Sequence, residues 1–362
     1  MAPSPTLAWL VDEAAGSPSA EAFLASLGQR LIVDGLPLAG GALTLAAPHP
    51  LIARRTWLWR ADGGAVSEAL GFFAHGLEPA PGAPGEAGRR WLAGLAPGET
   101  HERTVGQEAD GPRLAWIGPR PFTAEETQHL SEAARFSAAP LAALTARATL
   151  TAALEAYLGK RSASRVLAGP LRRGVGETIE AALLFADLRG FTALSETTAP
   201  GEVIAALDAW FDRIAGAIHA FGGEVLKFMG DGVLAIFPVA GRDPRAACEA
   251  ALSAVSAARA GMTHLDAIRL REGQPPLPFG VALHLGEILW GSIGAADRLD
   301  FTAIGPAVNL VSRLEGLCRP LGKPVLVSGA FAAQAPARLI PLGEHVLRGV
   351  AKPCTVFTIT ED

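Results

Sequence analysis

Phe185-Ala186-Asp187-Leu188-Arg189-Gly190-Phe191-Thr192 closes an apolar run that opens at Ile179. The run Ile179–Ala186 reads as a buried strand, and the carboxylate of Asp187 falls where that strand ends. A turn containing Gly190 follows. Ligands of α/β sheets sit at strand ends, and successive turn amides can cradle phosphate oxygens. An Asp in this place is also an ordinary turn cap, so the segment needs support from elsewhere in the chain.

Two further segments supply it. Gly222–Gly232, GGEVLKFMGDG, reads as a strand over Val225–Met229, a turn at Gly230-Asp231-Gly232 and a second strand over Val233–Phe237. Asp231 therefore lies at a hairpin tip. Two carboxylates on adjacent strand ends suit two divalent cations, since Mg²⁺ takes one or two carboxylates plus substrate phosphates. Such a pair activates an attacking oxygen and neutralises a leaving one. The other segment is Asp300–Arg313, DFTAIGPAVNLVSR. Asn309 and Arg313 are four apart on a helix and share one face. An amide beside a guanidinium suits a ribose oxygen and a pentavalent phosphate.

Around these segments strands alternate with helices. A helix entered through Pro200 puts Val203, Leu207, Trp210, Phe211, Ile214 and Ile218 on one face. Asp243 caps a helix begun by Pro244 and closed by Gly261. Phe279–Leu285 and Ile288–Ile293 read as two strands about Gly286. Phe301–Ile304 feeds a helix from Pro306, and strands follow at Pro324–Val327 and Cys354–Ile359. The order implies an α/β (α+β) domain, a mixed sheet flanked by helices.

These segments, with Ala282–Gly294 (ALHLGEILWGSIG), resemble the catalytic domain of class III nucleotidyl cyclases, the adenylate and guanylate cyclases. The likeness runs from about Glu177 to Phe357. It implies a ferredoxin-like core and cyclisation of a nucleoside triphosphate, ATP to 3′,5′-cyclic AMP and pyrophosphate. By the same resemblance Asp187 and Asp231 match the metal aspartates, holding two Mg²⁺ (or Mn²⁺) ions per site. Lys227 and Thr302 match the adenine-reading pair, and Thr at the second position is typical of the bicarbonate-responsive branch. Asn309 and Arg313 match the ribose-orienting and transition-state residues. The backbone of Leu188, Arg189, Gly190, Phe191 and Thr192 matches the triphosphate loop. No secure match exists for an additional pyrophosphate-binding Arg, and Arg348 and Lys352 read equally as a solvated turn. The family builds its sites at a head-to-tail homodimer interface, so two composite sites are implied. The alternatives are a guanylate cyclase and a catalytically silent nucleotide-binding module. Degenerate cyclase halves lose a metal Asp or the Asn/Arg pair, and this chain keeps both.

The amino-terminal part says less. Ser19–Val33 reads as a helix, Ala42–Ala47 and Thr56–Arg60 as strands, Glu78–Gly88 as a loop and Arg113–Gly118 as a short strand. Residues 1–120 vaguely resemble a GAF- or PAS-like α+β sensory domain, with an unknown regulatory ligand. Residues 121–176 read as a connecting helix and a signalling linker, with residues 177–362 as the catalytic domain. Thr123 and Glu126 have capping-box spacing, and Pro140 should kink or divide the helix. Leu141, Leu144, Leu150, Leu154 and Leu158 form an irregular seam that a partner helix or the domain itself would cover. Residues 161–176, with Arg161, Arg165, Arg172 and Arg173 among Gly and Pro, read as a solvated linker. Trp57, Trp59, Trp91 and Trp116 line either a ligand pocket or, on the safer assumption, a core.

Composition narrows the classes. Of 362 residues 49% are hydrophobic and 19% charged, enough for sizeable cores. A net charge of -5 argues against a nucleic-acid partner. Cys248, Cys318 and Cys354 form no CxxC pair, which points to a reducing compartment. No unbroken apolar run of membrane length and no leader-like start are present. The expectation is a cytoplasmic protein with no membrane partner.

Overall fold

The computed structural model describes residues 4–48, 52–72, 85–106, 111–169, 172, 174–239, 241, 243–335, 339–350 and 352–360. Glu78–Pro84 of the expected loop and Arg173 of the expected linker lie outside them. The chain divides into two compact units, Met1–Leu154 and Glu155–Asp362.

The first unit holds α1 (Pro5–Asp12), α2 (Ala20–Val33), β1 (Gly40–Ala46), β2 (Ile52–Arg60), β3 (Val66–Phe72), α3 (Glu86–Ala93), β4 (His101–Thr104), β5 (Arg113–Ile117) and α4 (Ala124–Phe136). Its five strands pair antiparallel in the order β3-β2-β1-β5-β4. Helix α2 starts where Ser19 accepts from the Ala22 amide. Its Phe23, Leu24, Leu27 and Leu31 are buried on one sheet face with Leu43, Trp59 and Trp116. Leu92 of α3 packs with Leu58 and Ile117 on the other face. Trp59 and Trp116 are core residues, edge to face at 6.1 Å. Gly28 and Gly41 make room for them, since a Cβ at either position would overlap the Trp59 or Trp116 ring. Gly41→Ala is expected to cost about 1–3 kcal/mol by overpacking, read from urea unfolding followed by tryptophan fluorescence. An unchanged midpoint would show that the ring has room to move.

The capping box at Thr123 and Glu126 forms as expected. The helix divides at Ser137, just before Pro140, and α5 (Ala138–Leu158) continues. Leu141 and Leu144 are buried, whereas Leu150 is exposed.

The second unit contains α6 (Lys160–Ala168), β6 (Val175–Leu188), α7 (Phe191–Thr197), α8 (Pro200–Ala220), β7 (Glu224–Met229), β8 (Gly232–Pro238), α9 (Pro244–Arg271), β9 (Phe279–Gly294), β10 (Leu299–Ile304), α10 (Pro306–Glu315), β11 (Val325–Ser328), α11 (Gly329–Ala332), β12 (Leu339–His345) and β13 (Cys354–Ile359). The central order β9-β6-β8-β7, all antiparallel, joined as β-α-β-β-α-β, is the ferredoxin-like core. Strand β11 adds parallel to β9, which makes the sheet mixed. Alternation along β6 sends Ala182, Leu184, Ala186 and Leu188 toward α8 and α9. It sends Ala181, Leu183 and Phe185 toward α10. Asp187 has the parity of the second set, and this places the site.

Three expectations need correction. Gly286 does not divide a strand pair: β9 runs unbroken from Phe279 to Gly294. Its missing side chain lets α10 approach, since a Cβ there would lie 2.9 Å from that of Ala307. Gly261 does not close α9, which continues to Arg271. Packing against α8, with Arg213 3.3 Å from where a Cβ would be, outweighs the glycine's weak propensity. Residues 161–168 are not solvated linker but belong to helix α6, with Ser162 and Ala163 buried. The Ser162 amide and hydroxyl both donate to buried Glu224, at 3.0 and 2.8 Å. From residue 175 the chain is already in β6.

Candidate active site

The hairpin β7–β8 turns through Gly230, whose φ of 65° suits glycine, and Asp231. Trp210 of α8 fixes the tip: its indole Nε1 donates to the Asp231 carbonyl at 3.0 Å. Strand β8 lies beside β6, so the tip comes to the end of β6, where Asp187 points. The Asp187 carboxylate lies 3.3 Å from the position of a Cβ on Gly232, next to Asp231 at the tip. Burial, then the charges of Asp231 and Glu315, push the Asp187 pKa up to about 7. The turn after Asp187 needs glycine at Gly190, φ 76°. The amides that open α7 have no intrahelical acceptor, which is what a phosphate-holding turn requires.

Two carboxylates held this close repel when both ionise, and a divalent cation between them relieves that repulsion. The donor set is hard oxygen, without His or Cys, and fits Mg²⁺ or Mn²⁺. Among the described residues no group of three or more His, Cys, Asp or Glu forms a complete cage. A two-carboxylate site that leaves positions for phosphate oxygens is consistent with that.

Sequence reasoning missed Glu315. This last residue of α10 carries a carboxylate on the sheet side, next to Asp187 and Asp231. Burial raises its pKa most, Arg189 opposes the rise, and Asp231 adds to it. Arg189 itself is tied down by donation from Nη2 to the Lys323 carbonyl at 2.7 Å.

Lys227 of β7 reaches β10, the strand that carries Thr302. Lys227 Nζ donates to Asp300 Oδ2. Asp300 and Thr302 are two apart on β10 and so share a face. Lys227 and Asp300 also line a cavity of about 450 Å³ with His219, Phe228 and Arg298. Asp300 was missed too, though its spacing from Thr302 on one strand was a usable signal.

Asn309 and Arg313 are together but turned away from the carboxylates. Ala307, Val311 and Leu314 bury α10 on the sheet, and Asn309 and Arg313 occupy its exposed face. Arg313 and Glu315 are two residues apart, about 200° around the helix axis. With Glu315 toward Asp187 and Asp231, Arg313 faces solvent. Neither Asn309 nor Arg313 has a side-chain hydrogen bond among the described residues. Arg348 and Lys352, in and after the turn between β12 and β13, have no ion pair among the described residues.

Residues 175–333 match the model of the adenylate and guanylate cyclase catalytic domain. Adenylate cyclase 1 of Rhizobium meliloti (strain 1021) is 34% identical over 185 residues, 50% of this chain and 27% of that protein. Adenylate cyclase 2 of the same organism is 30% identical over 208 residues, 56% of this chain and 55% of that protein. The chain thus spans between about a quarter and about half the length of these relatives. A solved bacterial light-regulated adenylyl cyclase shares the fold, with a TM-score of 0.53 at 21% identity, covering 75% of this chain and 87% of that one. The match defines residues 175–333 as a class III cyclase catalytic domain, and the fold agrees. No helix among the described residues is long and apolar enough to cross a membrane.

Proposed function

We propose that this chain is an adenylate cyclase, converting ATP to 3′,5′-cyclic AMP and pyrophosphate as a homodimer with two shared sites. The observation that carries the proposal is the disposition of α10. The carboxylate pair lies on one side of it, and Asn309 and Arg313 lie on the other. One chain holds both halves of the chemistry and cannot join them, whereas two chains related head to tail can.

Asp187 and Asp231 would hold two Mg²⁺ or Mn²⁺ ions. When bound, these cations activate the ribose 3′-oxygen and neutralise charge on the phosphates. The chain's own residues do the rest. The amides of the Leu188–Thr192 turn hold the triphosphate. Asn309 of the second chain orients the ribose, and Arg313 meets the charge that grows on the α-phosphoryl oxygens in the transition state. Lys227 donates to a ring nitrogen of adenine, and Thr302 accepts from its exocyclic amine. Guanine presents the opposite pattern, so the pair favours ATP. Asp300 holds the Lys227 ammonium in place for this contact. The amino-terminal unit, a five-stranded antiparallel sheet with helices on both faces, is the regulatory half of the same enzyme.

The test is turnover by the purified chain with ATP and with GTP, in Mn²⁺ and in Mg²⁺, with the cyclic products resolved. ATP should be preferred, and Lys227→Glu with Thr302→Cys should erode the preference. Asp300→Asn accompanies them, because Lys227→Glu alone would set two carboxylates against each other. Buried groups left without partners are expected to cost about 10²-fold or more in kcat/KM for ATP. A wild-type chain that cyclises GTP faster than ATP would refute the base-reading assignment.

A further inference from the structure

Strand β9 places Gly280 directly opposite Asp187 of β6. Cross-strand partners share a face, with Cβ atoms about 4.5–5.5 Å apart. Gly280 leaves its half of that space empty, and another group takes it. A Cβ on Gly280 would overlap Glu315 Oε1 and would lie 3.4 Å from Glu315 Cδ. Glu315 of α10 therefore puts its carboxylate into the slot beside Asp187 that a side chain at position 280 would occupy. Cys318, one turn on and fully buried, lines the same slot, its Cβ 3.3 Å from that position.

The Glu315 carboxylate accepts no hydrogen bond and forms no ion pair within 4 Å among the described residues. Arg189, the nearest opposite charge, spends one nitrogen on the Lys323 carbonyl and leaves its buried Nε without an acceptor. A mostly buried carboxylate without a donor, set against two more, is costly in the protein alone. It becomes favourable when divalent charge arrives. Cation affinity rises with the number of negative groups around a site, and groups outside the ligand set tune it.

We infer that Glu315, seated in the slot left by Gly280, is a positioning residue that raises the divalent-cation affinity of the Asp187–Asp231 pair without ligating the cation. This rests on the reading of that pair as the metal site. Because Glu315 ends the helix that carries Asn309 and Arg313, it also ties that helix to the cation's charge.

The test measures Mn²⁺ binding to the full chain by electron paramagnetic resonance of free Mn²⁺, and thermal unfolding with and without Mn²⁺. Asp187→Ala serves as the reference and should lose the tight Mn²⁺ sites. Glu315→Gln should bind Mn²⁺ about tenfold more weakly. Without metal it should unfold at or above the wild-type temperature, since a repulsion has been removed. Gly280→Ala keeps every charge but pushes the carboxylate from its slot, and it should weaken Mn²⁺ binding in the same direction. It also decides the matter if Glu315→Gln does not fold. Wild-type Mn²⁺ affinity in Glu315→Gln or in Gly280→Ala, with Asp187→Ala defective, would overturn the inference. So would a lower metal-free unfolding temperature for Glu315→Gln with unchanged affinity, which marks a purely structural side chain. Wild-type binding by Asp187→Ala would instead overturn the metal-site reading itself.

Discussion

Asp187→Ala is expected to abolish cyclic AMP formation while leaving the fold intact. Losing one half of the cation clamp removes about 4 kcal/mol of transition-state stabilisation, roughly a thousandfold in rate. Asp231→Ala should behave alike, because the hairpin tip is anchored through its backbone to Trp210 and not through its carboxylate. The fold survives because the Asp187 carboxylate is held against two others. Its pKa of about 7, raised first by burial, means that the folded chain keeps a proton that the unfolded chain has released at about 3.8. Between those values the folded state binds more protons, so metal-free stability falls as pH rises through the window. Urea unfolding across pH 4 to 7.5 should show that fall in the wild type and lose most of it in Asp187→Ala. Near wild-type product from either aspartate variant would remove the two-carboxylate account.

The strand-end carboxylate, the hairpin Asp and the Asn–Arg helix face were legible because each depends on short-range pattern. Asp187 follows an apolar strand, Asp231 sits in a Gly-Asp-Gly turn, and Asn309 and Arg313 are one helical turn apart. Glu315 was not legible, because its place beside Asp187 depends on the β6–β9 register and on Gly280, 35 residues earlier in the chain. Two clues existed: a glycine inside an apolar strand, and a Glu two positions past the exposed Arg313. Helix α6 was hidden by composition. Its arginines are exposed, and only tertiary contacts, from Ser162 to Glu224 and from Arg165 to Trp290 and Glu177, reveal a docked helix. Gly261 and Gly286 misled in the same way, since each marks a close approach of helix to helix or helix to strand and not an end.

The measurement that bears most directly on the shared site is complementation between two dead variants. Asp187→Ala and Arg313→Ala homodimers should each be nearly inactive, because each lacks one function in both sites. In a heterodimer one site carries both lesions and the other carries neither. Random mixing should therefore restore about a quarter of wild-type cyclic AMP production, and a doubly tagged, purified heterodimer about half, if the two sites act independently. Arg313 lies on the face of α10 opposite its own carboxylates, which is why the lesions are expected to separate between sites. The assay is product formation by the co-expressed, differently tagged variants after tandem purification. Recovery toward half of wild type is the predicted result. A verified heterodimer that stays as inactive as its parents would contradict a site built from two chains.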